Sequence, residues 1–229
     1  MKNFLVDDVM TTAVVTARPD TEYRALVDLI VKHRFSAVPV VDEFQRVTGV
    51  VSEADLLRKI EYAGAEDPRL FEGRRRRGER RKAAGRTAAE LMSTPPVTIG
   101  LGSTITAAAR LMDDEGVKRL PVVDDLGRLV GIVSRGDLLK VHLRPDDAIR
   151  ADVQRDVLQA HLADAAAGVQ LEVQDGVVDL SGRVERWSAA DRIERLSRQV
   201  PGVVDVRSSV TYDFDDRALY GPGTIIGVA

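Results

Sequence analysis

The sequence predicts an α/β fold: two copies of one β-α-β-β-α unit packed as a pseudo-two-fold module, followed by a small α+β domain of order α-β-β-α-β. Three observations support this prediction. The chain repeats itself at a constant offset, each repeat combines short apolar runs with a helical period, and the pattern changes after residue 146.

The composition is that of a globular protein with an ordinary hydrophobic core. The 229 residues are 44% hydrophobic and 30% charged, with a net charge of −3. The absence of cysteine excludes disulfides, thiolate zinc sites and cysteine catalysis. No apolar run approaches the ~18 residues of a membrane span. The N-terminal sequence MKNFLVDDVM lacks the apolar region of a signal peptide, so we expect a cytoplasmic protein.

An internal repeat is the strongest feature of the chain. With the sequence shifted by 82 residues, one register holds over nearly fifty positions, which indicates a tandem duplication. The matched segments are Met10 with Met92, Pro39–Asp42 with Pro121–Asp124, and Gly49–Asp55 with Gly131–Asp137.

Each copy contains the same order of predicted elements. A short strand (Val14-Val15 or Val97-Thr98) precedes an amphipathic helix, two apolar strands joined by a polar turn, and a helix that begins at Ser52 or Ser134. The strand–helix–strand connection predicts right-handed parallel pairing, and the polar turn predicts an antiparallel hairpin. One copy leaves part of its sheet open, so we expect the copies to pack together with clefts between them.

These repeats resemble a tandem pair of CBS domains over roughly residues 9–57 and 91–141. The most specific motifs are the apolar-Pro-Val-Val-Asp segments and the two G-[VI]-V-S-x-x-D stretches. The resemblance implies that an adenosine nucleotide or related adenosyl compound (AMP, ADP, ATP or S-adenosylmethionine) binds between the domains as a regulatory ligand, with no obligatory cofactor. It also implies a homodimer formed through the CBS modules.

The resemblance assigns roles to residues of both copies. Asp55 and Asp137 match the aspartate that accepts hydrogen bonds from ribose hydroxyls, and Ser52 and Ser134 match a hydroxyl that holds ribose or phosphate. A carboxylate can accept two hydrogen bonds from a vicinal diol, and its charge strengthens them. The other predicted site residues are the adenine edges Thr12-Ala13-Val14 and Thr94-Pro95-Pro96, the pocket residues Val38 and Leu120, and the cationic residues Lys118, Arg119, Arg135, His33 and Arg34.

The Ser-x-x-Asp pattern also has an interpretation that needs no ligand. Serine at a helix start with aspartate three positions later fits a capping box, in which the two side chains bond each other's backbone amides. The two copies differ inside the motif, because Arg135-Gly136 replaces Glu53-Ala54. Glu53 would repel phosphate at its own helix start, so the sequence favours the Asp137 cleft for a phosphorylated ligand and predicts a weaker or differently tuned cleft around Asp55.

The C-terminal part follows a different pattern. It predicts helices over 151–162 and 189–199, strands over 169–173, 177–184 and 203–212, and an Asp175-Gly176 hairpin turn. This part resembles a BON domain, a small bacterial module often linked to phospholipid or membrane association. The segment has no broad apolar face beyond its own core, so we expect a protein-contact or additional ligand surface, with Trp187 as a packing residue and no membrane contact.

The predicted domain boundaries are 1–62 for the first CBS domain, 63–87 for a mobile basic linker, 88–144 for the second CBS domain, 148–213 for the BON-like domain and 214–229 for a tail. The linker contains Arg74–Lys82, with seven basic residues and one acid, a net +6 that leaves a net −9 on the rest of the chain. No aromatic residue is interleaved with the arginines, which argues against nucleic-acid binding.

The sequence contains no recognisable catalytic or metal-binding constellation. P-loop, G-x-G-x-x-G, G-x-S-x-G and H-E-x-x-H motifs are absent, and His33, His142 and His161 are far apart in sequence. The acid pairs Asp113-Asp114 and Asp215-Asp216 are interpreted as solvated. We therefore predict a non-enzymatic regulatory module that signals to an unidentified protein through conformation or assembly. The alternative is a structural or interaction protein with non-binding clefts, acting through its BON-like domain and basic linker.

Overall fold

The computed structural model describes residues 4–63, 82–160 and 168–219. The chain forms two compact units: residues 5–138 make one, and residues 1–4 with 139–229 make the other. Most of the predicted basic linker, His161 and the predicted tail from residue 220 lie outside the described residues. Within the described part of the chain, no helix is both long and apolar enough to cross a membrane.

The first repeat contains one hairpin flanked by two helices. Its elements are α1 (Tyr23–His33), β1 (Ala37–Val41), β2 (Val47–Ser52) and α2 (Glu53–Glu61). Strands β1 and β2 are antiparallel, and Ala17 forms a parallel bridge with Val40 of β1. Leu26 and Ile30 of α1 pack onto the buried face of this hairpin, because they lie one helical turn apart on the same side of α1.

The second repeat has the same topology. Its elements are α3 (Ala88–Leu91), β3 (Ile99–Gly100), α4 (Ile105–Asp114), β4 (Arg119–Val123), β5 (Leu129–Ser134) and α5 (Arg135–Leu139). Strand β3 pairs in parallel with β4 at Ile99 and Val122, and β4 and β5 form an antiparallel hairpin. The predicted parallel crossover and hairpin are therefore confirmed in both copies, since Ala17–Val40 and Ile99–Val122 occupy equivalent positions.

The first strand of each copy lies further along the chain than its apolar residues predict. Pairing occurs at Ala17 and Ile99, whereas the predicted strands were Val14-Val15 and Val97-Thr98. Apolar residues are buried whether or not they pair in a sheet, and Val97 is half-buried against the core of its own repeat without a strand partner.

Contacts between the copies follow a pseudo-two-fold axis. The bridges between the copies come in equivalent pairs: Thr11–Ile132 with Ser93–Val50, and Leu5–Thr104 with Thr87–Glu22. Arg46 bridges its own equivalent, Arg128, and therefore marks the axis. The segment that precedes each copy thus crosses to the other copy, which confirms that the two pack together.

Two motif glycines are explained by this crossing. A Cβ atom at Gly49 would overlap the thioether of Met92, and one at Gly131 would overlap that of Met10. Each methionine therefore packs against the backbone of the opposite copy at a position where a side chain does not fit.

The C-terminal unit has the predicted α-β-β-α-β order. Its elements are α6 (Asp146–Asp152), a π-helical continuation (Val153–Gln159), β6 (Val169–Gln174), β7 (Val177–Arg186), α7 (Trp187–Ser197) and β8 (Asp205–Phe214). The sheet order is β6-β7-β8, with the first pair antiparallel and the second parallel. Asp175 and Gly176 form the predicted turn with φ of 51° and 74°, and the Asp146 carboxylate accepts hydrogen bonds from both of their amides.

The acid pair at 215–216 corrects one prediction. Asp216 is fully buried, and its carboxylate accepts hydrogen bonds from the backbone N (2.9 Å) and the Oγ (2.5 Å) of Ser188 in the first turn of α7. These bonds hold the pKa of Asp216 below its ordinary value, the Ser188 side chain contributing most. The prediction of a solvated pair is wrong for Asp216, because sequence spacing does not reveal a helix terminus 28 residues away.

Candidate functional site

A cleft of about 230 Å³ lies between the two repeats. The first repeat contributes the start of β1, the end of β2 and the first turn of α2, while the second contributes the segment before β3 and the loop before β4. Six predicted site residues line this cleft: Ser52, Asp55, Pro95, Pro96, Lys118 and Arg119.

Ser52 and Asp55 form a complete capping box at the start of α2. The backbone N and the Oγ of Ser52 donate to Asp55 Oδ2 over 2.9 Å and 2.6 Å, and the Asp55 amide donates back to Ser52 Oγ over 3.3 Å. Asp55 is only 7% exposed although it lines the cleft. Ser134 and Asp137 form the same box in the second repeat, with distances of 2.9, 2.6 and 3.2 Å. The prediction that the motif forms a capping box is therefore confirmed. The box uses Asp55 Oδ2 and does not include Oδ1.

Lys82 bonds the oxygen that the capping box does not use. Its Nζ donates to Asp55 Oδ1 over 2.7 Å and to Ser93 Oγ over 2.9 Å. Lys82 is not among the site residues that the sequence predicts. No motif marks it, since it is the last residue of a basic run that was interpreted as linker.

The opposite wall of the cleft is cationic. Lys118 is exposed, and Arg119 Nε donates to Ser36 Oγ over 2.7 Å, so Ser36 of the first repeat holds this guanidinium of the second repeat in place. Lys82 and these two groups carry three positive charges, whereas Glu53 and Asp55 carry two negative charges, so the charges at the cleft sum to +1. Among the described residues, no cluster of three or more acidic or histidine side chains is suitable for holding a metal ion.

Comparison with known families decides which fold this is. The CBS domain family matches residues 6–62 and 88–144, and the BON domain family matches residues 145–213. The chain is a tandem CBS-domain protein with a C-terminal BON domain. The predicted family and fold class are confirmed.

Curated relatives of the CBS pair come from several kingdoms. A CBS domain-containing protein of Dictyostelium discoideum is 30% identical over 140 residues, covering 61% of this chain and 92% of the relative. The chloroplastic CBS domain-containing protein CBSX2 of Arabidopsis thaliana is 29% identical over 153 residues, covering 62% of this chain. The chain spans only 64% of the length of CBSX2 and likewise of the uncharacterized protein MK0525 of Methanopyrus kandleri. An inosine-5'-monophosphate dehydrogenase of Mycobacterium leprae is matched over only 22% of its length.

Two solved CBS pairs resemble this chain and carry adenosyl ligands. The crystal structure of CBSX2 in complex with AMP has a TM-score of 0.54 and 30% identity, covering 61% of this chain and 97% of that one. The CBS domain pair of MJ0100, in complex with 5'-methylthioadenosine and S-adenosyl-L-methionine, has a TM-score of 0.50, 21% identity and coverage of 61% and 96%. The second likeness shows the shared fold alone.

The CBS pair brings each predicted adenine edge to the opposite repeat. Ser93 bridges Val50, two residues before Ser52, so Pro95 and Pro96 line the cleft with Asp55. In the equivalent place Thr11 bridges Ile132, two residues before Ser134. The edge at Thr12, Ala13 and Val14 therefore lies on the side of the CBS pair that carries Ser134, Arg135 and Asp137.

The two clefts differ in the size of the side chains beside them. Gly116 and Val117 line the Asp55 cleft, and a Cβ atom at Gly116 would meet nothing within 4 Å. Their equivalents across the axis are Arg34 and the larger Phe35, which packs against the core of its own repeat and lies 5.9 Å from the Arg119 guanidinium. Charge inside the motif favours the Asp137 cleft, whereas side-chain size favours the Asp55 cleft.

Several predicted residues lie outside this cleft. Val38 and Leu120 are fully buried in the cores of their own repeats, so the prediction that they line the pocket is wrong. Thr94 is exposed and donates from Oγ1 to the carbonyl of Thr48 over 3.3 Å. Arg135 donates to the carbonyl of Met112 over 3.2 Å, a contact within its own repeat.

Proposed function

We propose that the CBS pair is a regulatory module that binds an adenosine nucleotide or related adenosyl ligand in the Asp55 cleft and signals to a partner through conformation or assembly. One observation carries this proposal. Asp55 is a buried carboxylate at the edge of a cleft, held in place by Ser52 through one oxygen while the other oxygen stays outside the capping box. A carboxylate fixed in this way is preorganised to accept hydrogen bonds from vicinal hydroxyls.

The remaining walls suit the other parts of such a ligand. Pro95, Pro96 and Val97 supply an apolar surface that fits a purine ring, and Lys118 and Arg119 supply positive charge that fits phosphate. At about 230 Å³ the cleft is smaller than typical small-molecule pockets of ~300–1,000 Å³, so we expect part of a nucleotide to extend out of it. The AMP complex of CBSX2, a relative at 30% identity over nearly its whole chain, supports this ligand class.

Titration calorimetry with AMP, ADP, ATP and S-adenosylmethionine tests the proposal, using wild type and two matched variants. Asp55→Asn keeps the size of the side chain but removes its charge, and we expect at least tenfold weaker binding because charge-assisted hydrogen bonds contribute ~1.5–3 kcal/mol. Asp137→Asn makes the same change in the other capping box and should leave the affinity nearly unchanged. Weaker binding in Asp137→Asn alone would refute the assignment to Asp55, and binding of no adenosyl ligand would refute the function.

The BON domain offers a polar surface for the partner. Alternation along the strands places exposed polar side chains on the sheet face opposite the helices: Gln170, Glu172, Arg183, Arg207, Ser209 and Thr211. Such a face favours contact with a hydrophilic protein over insertion into lipid. The alternative function, an interaction protein whose clefts bind nothing, would act through this same face.

A further inference from the structure

Lys82 occupies the carboxylate oxygen that a bound ribose needs. The Lys82–Asp55 ion pair is largely shielded from water, with side-chain exposures of 24% and 9%. Lys82 also bonds Ser93, a second cleft residue, which comes from the opposite repeat. Its ammonium therefore spans the edge of the cleft from one repeat to the other.

Counting acceptors shows that Lys82 and a diol compete. A carboxylate oxygen has two lone pairs and can therefore accept about two hydrogen bonds. Asp55 Oδ2 already accepts two hydrogen bonds from Ser52, and Oδ1 accepts one from Lys82. One lone pair of the Asp55 carboxylate thus remains available. A vicinal diol that donates two hydrogen bonds to Asp55 needs two.

The backbone that follows Lys82 is held close to the cleft. Lys59 of α2 donates from Nζ to the carbonyls of Ala83 and Gly85, each over 3.0 Å. Asp55 lies in the first turn of the same helix, so α2 binds both the Lys82 side chain and the chain segment that carries it. A competitor attached in this way acts at a high effective concentration.

We propose that Lys82 is a built-in competitor for the Asp55 cleft, so that a ligand diol displaces its ammonium from Asp55 and loss of the ligand restores the ion pair. This inference rests on the proposed function, because it concerns the same carboxylate. Ligand binding thereby releases Lys82, which lies in the connection between the two CBS domains, from Asp55. A partner protein can recognise this local change.

Calorimetric titration with AMP of wild type, Lys82→Met, Lys82→Arg and Lys32→Met tests the competition. Lys82→Met removes the competing charge and should bind AMP about tenfold more tightly, which corresponds to a binding free energy more favourable by ~1.4 kcal/mol. Lys82→Arg retains a cation and should stay near wild type. Lys32→Met, an exposed lysine on α1, should match wild type.

Acetylation of lysines in wild type, read by mass spectrometry, provides a second measurement that needs no variant. Saturating AMP should raise the acetylation rate of Lys82 at least twofold, because the freed ammonium becomes accessible. Equal or weaker binding by Lys82→Met, or protection of Lys82 by AMP, would overturn the competition while leaving the proposed function intact. Absence of binding of AMP, ADP, ATP and S-adenosylmethionine in wild type and in Lys82→Met would instead remove the proposed function, and the competition with it.

Discussion

Replacing Val117 by phenylalanine should close the Asp55 cleft. The substitution introduces the larger side chain that stands at the equivalent position of the first repeat. Val117 is half-buried on the cleft wall, and its equivalent in the first repeat is Phe35. A benzene ring fills a cavity of about 150 Å³. The phenyl group replaces the smaller isopropyl group of Val117, and its additional volume would enter the 230 Å³ cleft.

The expected result is at least tenfold weaker AMP binding in Val117→Phe, a loss of ~1.4 kcal/mol or more. Because Val117 also packs against the core of its own repeat, the free energy of unfolding should fall by no more than the ~1–3 kcal/mol of overpacking. Calorimetry with AMP and urea denaturation measure the two quantities, with Val117→Ile as the control that adds only one methylene group. Wild-type affinity in a folded Val117→Phe variant would refute the assignment of ligand binding to this cleft.

Two further predictions concern the BON domain and assembly. Since hydrogen bonds from Ser188 lower the pKa of Asp216 in the folded state, its stabilising contribution should be complete above the unfolded pKa of ~3.9 and disappear as pH falls through the lower folded value. The difference in melting temperature between wild type and Asp216→Asn should accordingly shrink below about pH 4; a constant difference from neutral to strongly acidic pH would contradict this. The predicted homodimer should use the exposed apolar face of α2, where Leu57 and Ile60 are 57% and 69% exposed. In light scattering Ile60→Glu should give the mass of one chain and Val31→Glu, equally exposed on α1, that of two; a dimeric Ile60→Glu would exclude this face.

Most of the fold follows from the repeat. One register over both copies predicts two identical topologies, and packing about a pseudo-two-fold axis follows because each sheet is open on one side. The first strand of each copy begins later than predicted, because apolar residues such as Val97 are half-buried against the core of their own repeat without pairing in the sheet. Asp216 was missed for a related reason, since the helix start that it binds is remote in sequence.

The candidate site was predicted only in part. The motif identified Ser52 and Asp55, but it could not show that the segment before the second repeat bridges the first repeat at Ser93 and so brings Pro95 to the cleft. The difference in side-chain size between the two clefts is readable from the sequence, because Gly116 and Val117 align with Arg34 and Phe35. Lys82 had no such signal, because its partners lie 27 and 11 residues away and no motif places it.

The position of bound AMP tests the central claim most directly. A crystal structure of the full chain with AMP should show both ribose hydroxyl oxygens within about 2.5–3.0 Å of the Asp55 carboxylate, with Lys82 Nζ no longer bonded to Oδ1. Ribose bound to Asp137, or AMP bound away from both aspartates, would contradict the account.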